Sequence, residues 1–133
     1  MARAALPAPA LLALSRRGLA EATASVAPGH RYALAHLAAL RAAAAVLSCR
    51  ARPAEERRGR PRSVWVLLAQ VAPELSEWAS FFAAGARKRA AAEAGMSGVV
   101  TPREADDLLR DAESFLAVVE TTLGAGPALQ RSG

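Results

Sequence analysis

The chain has 133 residues, a length that suits one domain with a substantial buried core. Hydrophobic residues make up 53% of it and aromatic residues only 5%, so Ala, Leu and Val supply most of the apolar content, which favours helices packed through small side chains. The single cysteine, Cys49, excludes an internal disulfide, argues against a cysteine-based metal site and fits a reducing compartment.

The net charge of +5 is divided unevenly along the chain. Residues 1–62 hold eleven Arg against three acids, whereas residues 63–133 hold six basic residues against nine acids. Arginine binds phosphate bidentately, so the basic half could contact nucleic acid. Abundant Arg beside Ala, Gly and Pro is also typical of a genome rich in G and C, and we favour this compositional explanation because net charge alone says little about partners.

The first predicted helix starts near Pro9, after a flexible N-terminus at residues 1–8. Small and apolar residues recur on one face of it at spacings of three and four. These residues are Leu11, Leu14 or Ser15, Gly18, Ala22 and Val26. Prolines interrupt the early apolar run and Arg16 and Arg17 follow it, so we expect no secretion signal. No run approaches the ~18 uncharged apolar residues of a membrane span, and we expect a cytoplasmic protein.

The second predicted helix follows a break at Pro28 and Gly29 and runs from near His30 to about Arg50. It holds both histidines and the one tyrosine of the chain. Its apolar line, predicted to face the core, consists of Ala33, Leu37, Leu40, Ala44 and Leu47, and Leu34 and Val46 widen it. The run of alanines at residues 42–45 permits the close approach of another helix.

Residues 51–62 have no apolar period, and their Pro and Gly residues argue against a regular element, so we predict a mobile basic loop. The loop offers four candidate ligands for nucleic acid or phosphate: Arg57, Arg58, Arg60 and Arg62. No aromatic residue is interleaved to stack on bases. We therefore favour the alternative, a solvated linker between two helices.

Ser63 is a suitable N-cap for a third helix, which Pro73 should kink or end. The helical pattern then resumes, so residues 63–94 form one kinked helix or two. The aromatic residues of this span are predicted as core anchors. They are Trp65, Trp78, Phe81 and Phe82. Three further candidate phosphate ligands follow, for which a solvated face is the simpler explanation: Arg87, Lys88 and Arg89.

Gly95 suits the end of this span, and Thr101, Pro102 and Glu104 then form the pattern of a capping box at the start of the last helix. Gly124 ends that helix, and residues 125–133 should form a frayed tail. Together the elements predict an all-α fold, an antiparallel bundle of four or five helices in one domain at residues 9–124.

One polar pair lies in an apolar context, namely Arg31 and His36. The sequence contains no Gly-rich phosphate loop, serine-nucleophile motif or zinc-ligand spacing, and we predict no cofactor and no metal. Five residues correspond to about 140° around a helix, so the two side chains would converge only at an irregular helix start or with the help of a second subunit. His36 should lie at the edge of the core face, either hydrogen-bonded to a neighbouring helix or available for acid–base work.

The layout resembles the HEPN superfamily (higher eukaryotes and prokaryotes nucleotide-binding domains), in particular its compact single-domain members of high-GC bacteria. Four segments carry this resemblance, which extends over roughly residues 10–123. They are residues 31–36 (RYALAH), 63–75 (SVWVLLAQVAPEL), 78–89 (WASFFAAGARKR) and 100–109 (VTPREADDLL). The resemblance implies a small helical bundle.

Ribonuclease members of that superfamily carry Arg, a polar residue, a short spacer and His, in an active site assembled between two subunits. By this resemblance Arg31 would hold the scissile phosphate and His36 would transfer protons, while an RNA 2′-hydroxyl attacks without a metal ion. The chain departs from the pattern at Tyr32, where active members have a small polar or charged residue, and in the early position of the pair.

We therefore predict a non-catalytic HEPN-like module that binds nucleotide, RNA or a protein partner, with a homodimer as a candidate assembly and no membrane contact. A metal-independent endoribonuclease that uses Arg31 and His36 is the first alternative. A purely structural helical interaction protein is the second.

Overall fold

The computed structural model describes residues 6–50, 63–96 and 98–124, which form six α-helices and one 3₁₀ turn. The helices are α1 (Ala8–Ala24), α2 (Pro28–Arg50), α3 (Val64–Val71), α4 (Ser76–Ala84), α5 (Ala86–Glu93) and α6 (Pro102–Leu123), and the 3₁₀ turn is Pro73–Leu75. Helices α4 and α5 meet at Gly85 and together form one of the five helical segments of the bundle. The all-α prediction is confirmed. The predicted loop at 51–62, the tail at 125–133 and residues 1–5 of the predicted flexible N-terminus lie outside the described residues.

Helix α2 is the centre of the bundle and contacts α1, α3, α5 and α6. Its buried side chains are mostly alanine, on the faces that meet α1 and α6. They are Ala33, Ala35, Ala38, Ala39, Ala42, Ala43 and Ala45, with Tyr32, His36 and Val46. A helix covered on several sides can bring its neighbours close only where its side chains are small, which explains why the apolar content of this chain is so rich in alanine.

Helices α1 and α2 pack closely and run antiparallel. A β-carbon built on Gly18 would lie 3.4 Å from the Ala38 β-carbon, and the buried Ser15 hydroxyl donates to the Ala38 carbonyl at 2.8 Å. The turn between them differs from the sequence prediction, because Pro28 begins α2 instead of breaking a helix, as suits a residue without an N–H. Val26, predicted on the apolar stripe, lies in that turn and is 90% exposed.

The leucines of α2 contradict the predicted core line. Leu37, Leu40, Ala44 and Leu47 are all only partly buried, and the core side of the helix is the alanine side. Periodicity predicted a face that contains the leucines, but the positions in contact with the neighbouring helices hold the smaller alanine side chains, which permit close packing. Leu40 still packs against the core, whereas Leu37 and Leu47 lie outside the core cluster.

The span between residues 63 and 94 is divided more finely than predicted, into α3, the 3₁₀ turn, α4 and α5. The Ser63 hydroxyl accepts from the Val66 N–H at 3.1 Å, which confirms the N-cap, and Pro73 starts the turn that ends α3. Trp65 and Phe82 are buried and stack with centroids 5.2 Å apart. Phe81, predicted as a core anchor, is 45% exposed, because it lies about 100° from Phe82 around α4.

By length and composition α2 could also cross a bilayer, a property that the sequence analysis did not expect. Of its most apolar 18-residue window, 61% is buried inside the bundle. The core helix of a soluble protein passes the same test, so this is weak evidence for a span.

Helix α6 matches its prediction most closely. The Thr101 hydroxyl accepts from the Glu104 N–H at 3.1 Å and the Glu104 carboxylate accepts from the Thr101 N–H at 2.9 Å, so the capping box is present. Gly124 has φ +72° and ends the helix in the left-handed conformation. Apolar residues at helical spacing predict the face between these ends, and the buried residues lie on it: Ala105, Leu108, Ala112, Phe115, Leu116 and Val119.

Replacing Thr101 by Ala should lower the free energy of unfolding by about 1 kcal/mol, because it leaves N–H groups at the start of α6 without their acceptor. Urea denaturation followed by circular dichroism measures this loss. Ser114→Ala is the matched control, since Ser114 is exposed on the same helix. An equal loss in both variants would contradict a specific role for the cap.

Candidate functional site

His36 is completely enclosed in the core, with 0% of its surface exposed. Its Nε2 lies 2.7 Å from the Phe82 carbonyl oxygen. A carbonyl can only accept, so Nε2 carries the proton and donates it to this oxygen. Nδ1 is also buried and has no hydrogen-bond partner among the described residues. The edge-of-core position predicted for His36 is therefore wrong, although the predicted bond to a neighbouring helix is present.

The junction between α4 and α5 allows this histidine to reach the Phe82 carbonyl. Gly85 lies against α2, and a β-carbon built there would be 2.8 Å from the Tyr32 hydroxyl and 3.5 Å from His36 Cδ2. A side chain at this position would require the Tyr32 hydroxyl to shift. The His36 ring lies edge-on to the rings of Trp65 and Phe82, each with a centroid distance of 5.9 Å, so aromatic groups surround it.

Burial lowers the pKa of His36 below its ordinary value of 6.5, because the charged imidazolium would lose its hydration. The bond to the Phe82 carbonyl opposes this shift, Arg89 adds to it and Glu93 opposes it. Protonation would also place a second N–H at Nδ1, where no described acceptor is available. His36 is accordingly a neutral hydrogen-bond donor between helices near pH 7.

Arg31 is bound to the end of α1. Its guanidinium donates to the carbonyls of Ala22 and Ser25 and forms an ion pair with Asp106 on α6. The last carbonyls of a helix have no partner inside it and carry partial negative charge, so a cation there both satisfies them and interacts favourably with the helix dipole. This arrangement gives Arg31 the role of a cap that joins α1, α2 and α6.

The structure therefore does not bring Arg31 and His36 together within one chain. One side chain points to the end of α1 and the other to the α4–α5 junction, as expected for residues about 140° apart on a helix. Tyr32 lies between them in sequence, is 7% exposed and stacks against the His36 ring. Burial raises the pKa of its hydroxyl, so Tyr32 stays neutral as well.

The predicted phosphate ligands are only partly described. Lys88 pairs with Glu104 at 2.6 Å and Arg89 with Glu93 at 3.6 Å, so both cations already have anionic partners. Arg87 is exposed and has no ion pair with any described residue. The other four candidates lie outside the described residues: Arg57, Arg58, Arg60 and Arg62. The triplet therefore does not form one cluster of unpaired cations.

A surface groove that the sequence analysis missed lies beside α4. It has a volume of about 480 Å³ and is lined by Trp78, Phe81, Glu77 and Asp111, with Pro73 and Glu74 at one end. A signal for it was present in the sequence, since Phe81 falls off the apolar line through Leu75, Trp78 and Phe82. An aromatic residue off the buried face of an amphipathic helix is a candidate contact residue.

These features define a HEPN-like all-α bundle in which the suspected catalytic pair carries structural contacts. The family described as SAV_6107-like HEPN matches residues 22–120, more than half of the chain, and the chain belongs to this family. Comparison with curated proteins and with solved structures gave no match.

The wild type should lose stability as the pH falls below about 6.5, because the unfolded chain then binds a proton at His36 that the folded chain refuses. The loss continues until the lowered pKa of the folded state is reached, with a slope of at most about 1.4 kcal/mol per pH unit. Urea denaturation between pH 8 and pH 5 measures it.

His36→Gln should remove this part of the pH dependence, since the amide can still donate but does not titrate. His30→Gln is the matched control, because His30 is exposed and should leave the profile as in the wild type. Parallel profiles for the wild type and His36→Gln would contradict the neutral, buried state of His36.

Proposed function

We propose that this chain is a HEPN-type module that binds nucleotide, RNA or a protein partner and does not cleave RNA through Arg31 and His36. The enclosure of His36 is the observation that carries this proposal. A general acid or base must come within hydrogen-bond reach of the proton that it transfers, and no substrate can reach a ring with no exposed surface. We further propose that the module works in the cytoplasm, where its exposed Cys49 would stay reduced.

The contacts of Arg31 support the same proposal. A phosphate ligand needs guanidinium N–H groups that point to the substrate, but Nε and both terminal nitrogens of Arg31 already donate to Ala22, Asp106 and Ser25. Moving Arg31 away would break its bonds to the Ser25 and Ala22 carbonyls at the end of α1 and leave the Ser25 N–H as the donor to Ala22. The pair is thus better explained by its structural contacts than by the ribonuclease alternative.

Within the triplet of residues 87–89, binding of phosphate would fall to Arg87, since Lys88 and Arg89 are paired with acids. The Arg-rich residues 51–62 are the other proposed phosphate contact, through counterion release as for any cluster of arginines. A purely structural role in an assembly remains the alternative for a module without catalysis.

The proposed homodimer would use the outer face of α2. Leu37, Leu40, Ala44 and Leu47 recur there at spacings of three and four, as in a helix–helix seam, and remain partly exposed in one chain. Burying leucine surface in a second copy would stabilise the pair by the hydrophobic effect. This face is separate from the aromatic groove beside α4.

Purified wild type should leave single-stranded RNA intact in buffer that contains a chelator, and His36→Ala should behave in the same way. A labelled RNA resolved on a denaturing gel gives the measurement, with circular dichroism to check that both proteins are folded. Cleavage by the wild type that His36→Ala loses while remaining folded would overturn the non-catalytic proposal and favour the ribonuclease.

The double variant Leu37→Glu/Leu47→Glu should convert a dimer of twice the 13.8 kDa chain into a monomer, because it places charges in the proposed seam. Light scattering after size exclusion measures the mass. Val26→Glu makes the same type of change at a residue that is 90% exposed and should leave the dimer intact. A wild type that is monomeric at high concentration would rule out this homodimer.

A further inference from the structure

The aromatic groove beside α4 adjoins a second, smaller recess. The two together are called the groove below. The second recess, of about 290 Å³, shares Phe81 and Asp111 with the first and extends to Tyr32 and Lys88. Phe81 is 45% exposed at the point where the two meet, and Trp78 is half-buried beside it. An open, elongated groove with aromatic rings is suited to an extended chain segment.

The charge of this groove is negative. Among the described residues that line it, the carboxylates belong to Glu74, Glu77, Glu104, Asp107 and Asp111, and the one cation is Lys88, which is paired with Glu104. Glu77 and Asp111 form no ion pair with any described residue, whereas the other three acids are paired: Glu74 with Arg50, Glu104 with Lys88, and Asp107 with Arg103 and Arg110. These two acids line the same recess as the aromatic rings.

Asp111 is an acid whose charged form a nearby cation would stabilise. Burial raises its pKa, and the neighbouring Asp107 raises it further, against the opposing effect of Arg110. A positive group placed in the groove would offset both effects and favour the charged carboxylate. Phosphate would meet repulsion in the same place, which argues against RNA as the occupant.

We propose that this groove binds an arginine-bearing segment of a partner polypeptide. A guanidinium can stack on the faces of Trp78 and Phe81 while its N–H groups donate to Glu77 and Asp111. Arginine suits this combination better than lysine, because its planar group both stacks and donates in a fixed fork. Among the described residues no group of acids, histidines and cysteines has the arrangement of a metal site, so a bound metal ion is not favoured.

The proposal rests on the proposed function in one respect, the binding of a protein partner, and names the chemistry of that partner. It does not depend on whether RNA is cleaved. The RNA assay involves His36 and the peptide assay involves the groove, so either can fail without the other.

The test uses the full chain and a fluorescein-labelled peptide of about ten residues that alternates Arg and Ala, at physiological salt. Fluorescence anisotropy measures its Kd, with a peptide of alternating Glu and Ala as the negative control. Saturable binding of the Arg peptide, with a change in the emission of Trp78, is the expected result. The other tryptophan, Trp65, is only 4% exposed and should contribute little to that change.

Two variants assign the binding to the groove. Glu77→Gln/Asp111→Asn should raise the Kd about tenfold, through the loss of two partly screened ion pairs. Phe81→Ala should raise it by a similar factor through the loss of the stacking face. The matched control, Glu21→Gln/Glu113→Gln, changes the net charge equally at two exposed acids outside the groove and should alter the Kd by less than about twofold.

Four results would overturn the proposal. The Arg peptide could fail to bind, or the groove and control variants could weaken it equally, which would indicate diffuse electrostatics. It could bind only after Arg57, Arg58, Arg60 and Arg62 are changed to Gln, in which case the chain's own basic segment would be the occupant. Single-stranded RNA could bind in a manner that Phe81→Ala abolishes, and the groove would then be a nucleic-acid site.

Discussion

The close packing of an alanine-faced helix against its neighbours is the constraint on which this bundle depends. Because the inner faces of α2 present methyl groups, α1 approaches until the Gly18 backbone meets Ala38 and the Ser15 hydroxyl reaches a carbonyl of α2. Small side chains lose little conformational entropy on burial, and the short spacing gives dispersion contacts in return. Leu37 and Leu47 are left on the outer face of α2, where a second chain is the proposed partner.

The aromatic cluster fills the other side of α2 and explains the position of His36. Phe82, Phe115 and Trp65 lie within about 5 to 6 Å of one another, and the imidazole completes their packing while it holds the carbonyl at the helix junction. A polar ring in such a core is tolerated because one nitrogen is bonded and the ring stays neutral. Gly85 contributes to this packing, since a β-carbon there would lie 2.8 Å from the Tyr32 hydroxyl and would require that side chain to shift.

Ion pairs connect the basic N-terminal half of the sequence to its acidic C-terminal half. Arginines on α1 and α2 are tied to acids on α6 or to the turn before α4, so the basic half of the chain is partly neutralised by the acidic half. The acids that remain without a described partner include the two beside Phe81. Membership of the SAV_6107-like HEPN family agrees with a small helical module, and the specific partner chemistry proposed for it comes from this surface of the chain.

The sequence by itself determined the elements whose cause is local. Ser63 and Thr101 mark helix starts and Gly124 marks a helix end, because capping depends on residues within one turn. The face of α6 was also predictable, since its polar and apolar sides differ sharply. Tertiary structure decided the orientation of α2, whose residues are apolar nearly all round, so that periodicity could not tell the alanine face from the leucine face. It also decided that Arg31 donates to carbonyls at the end of α1 and that His36 donates to the Phe82 carbonyl at the α4–α5 junction. These acceptors are distant in the sequence, so only the packing brings them within reach of the two side chains.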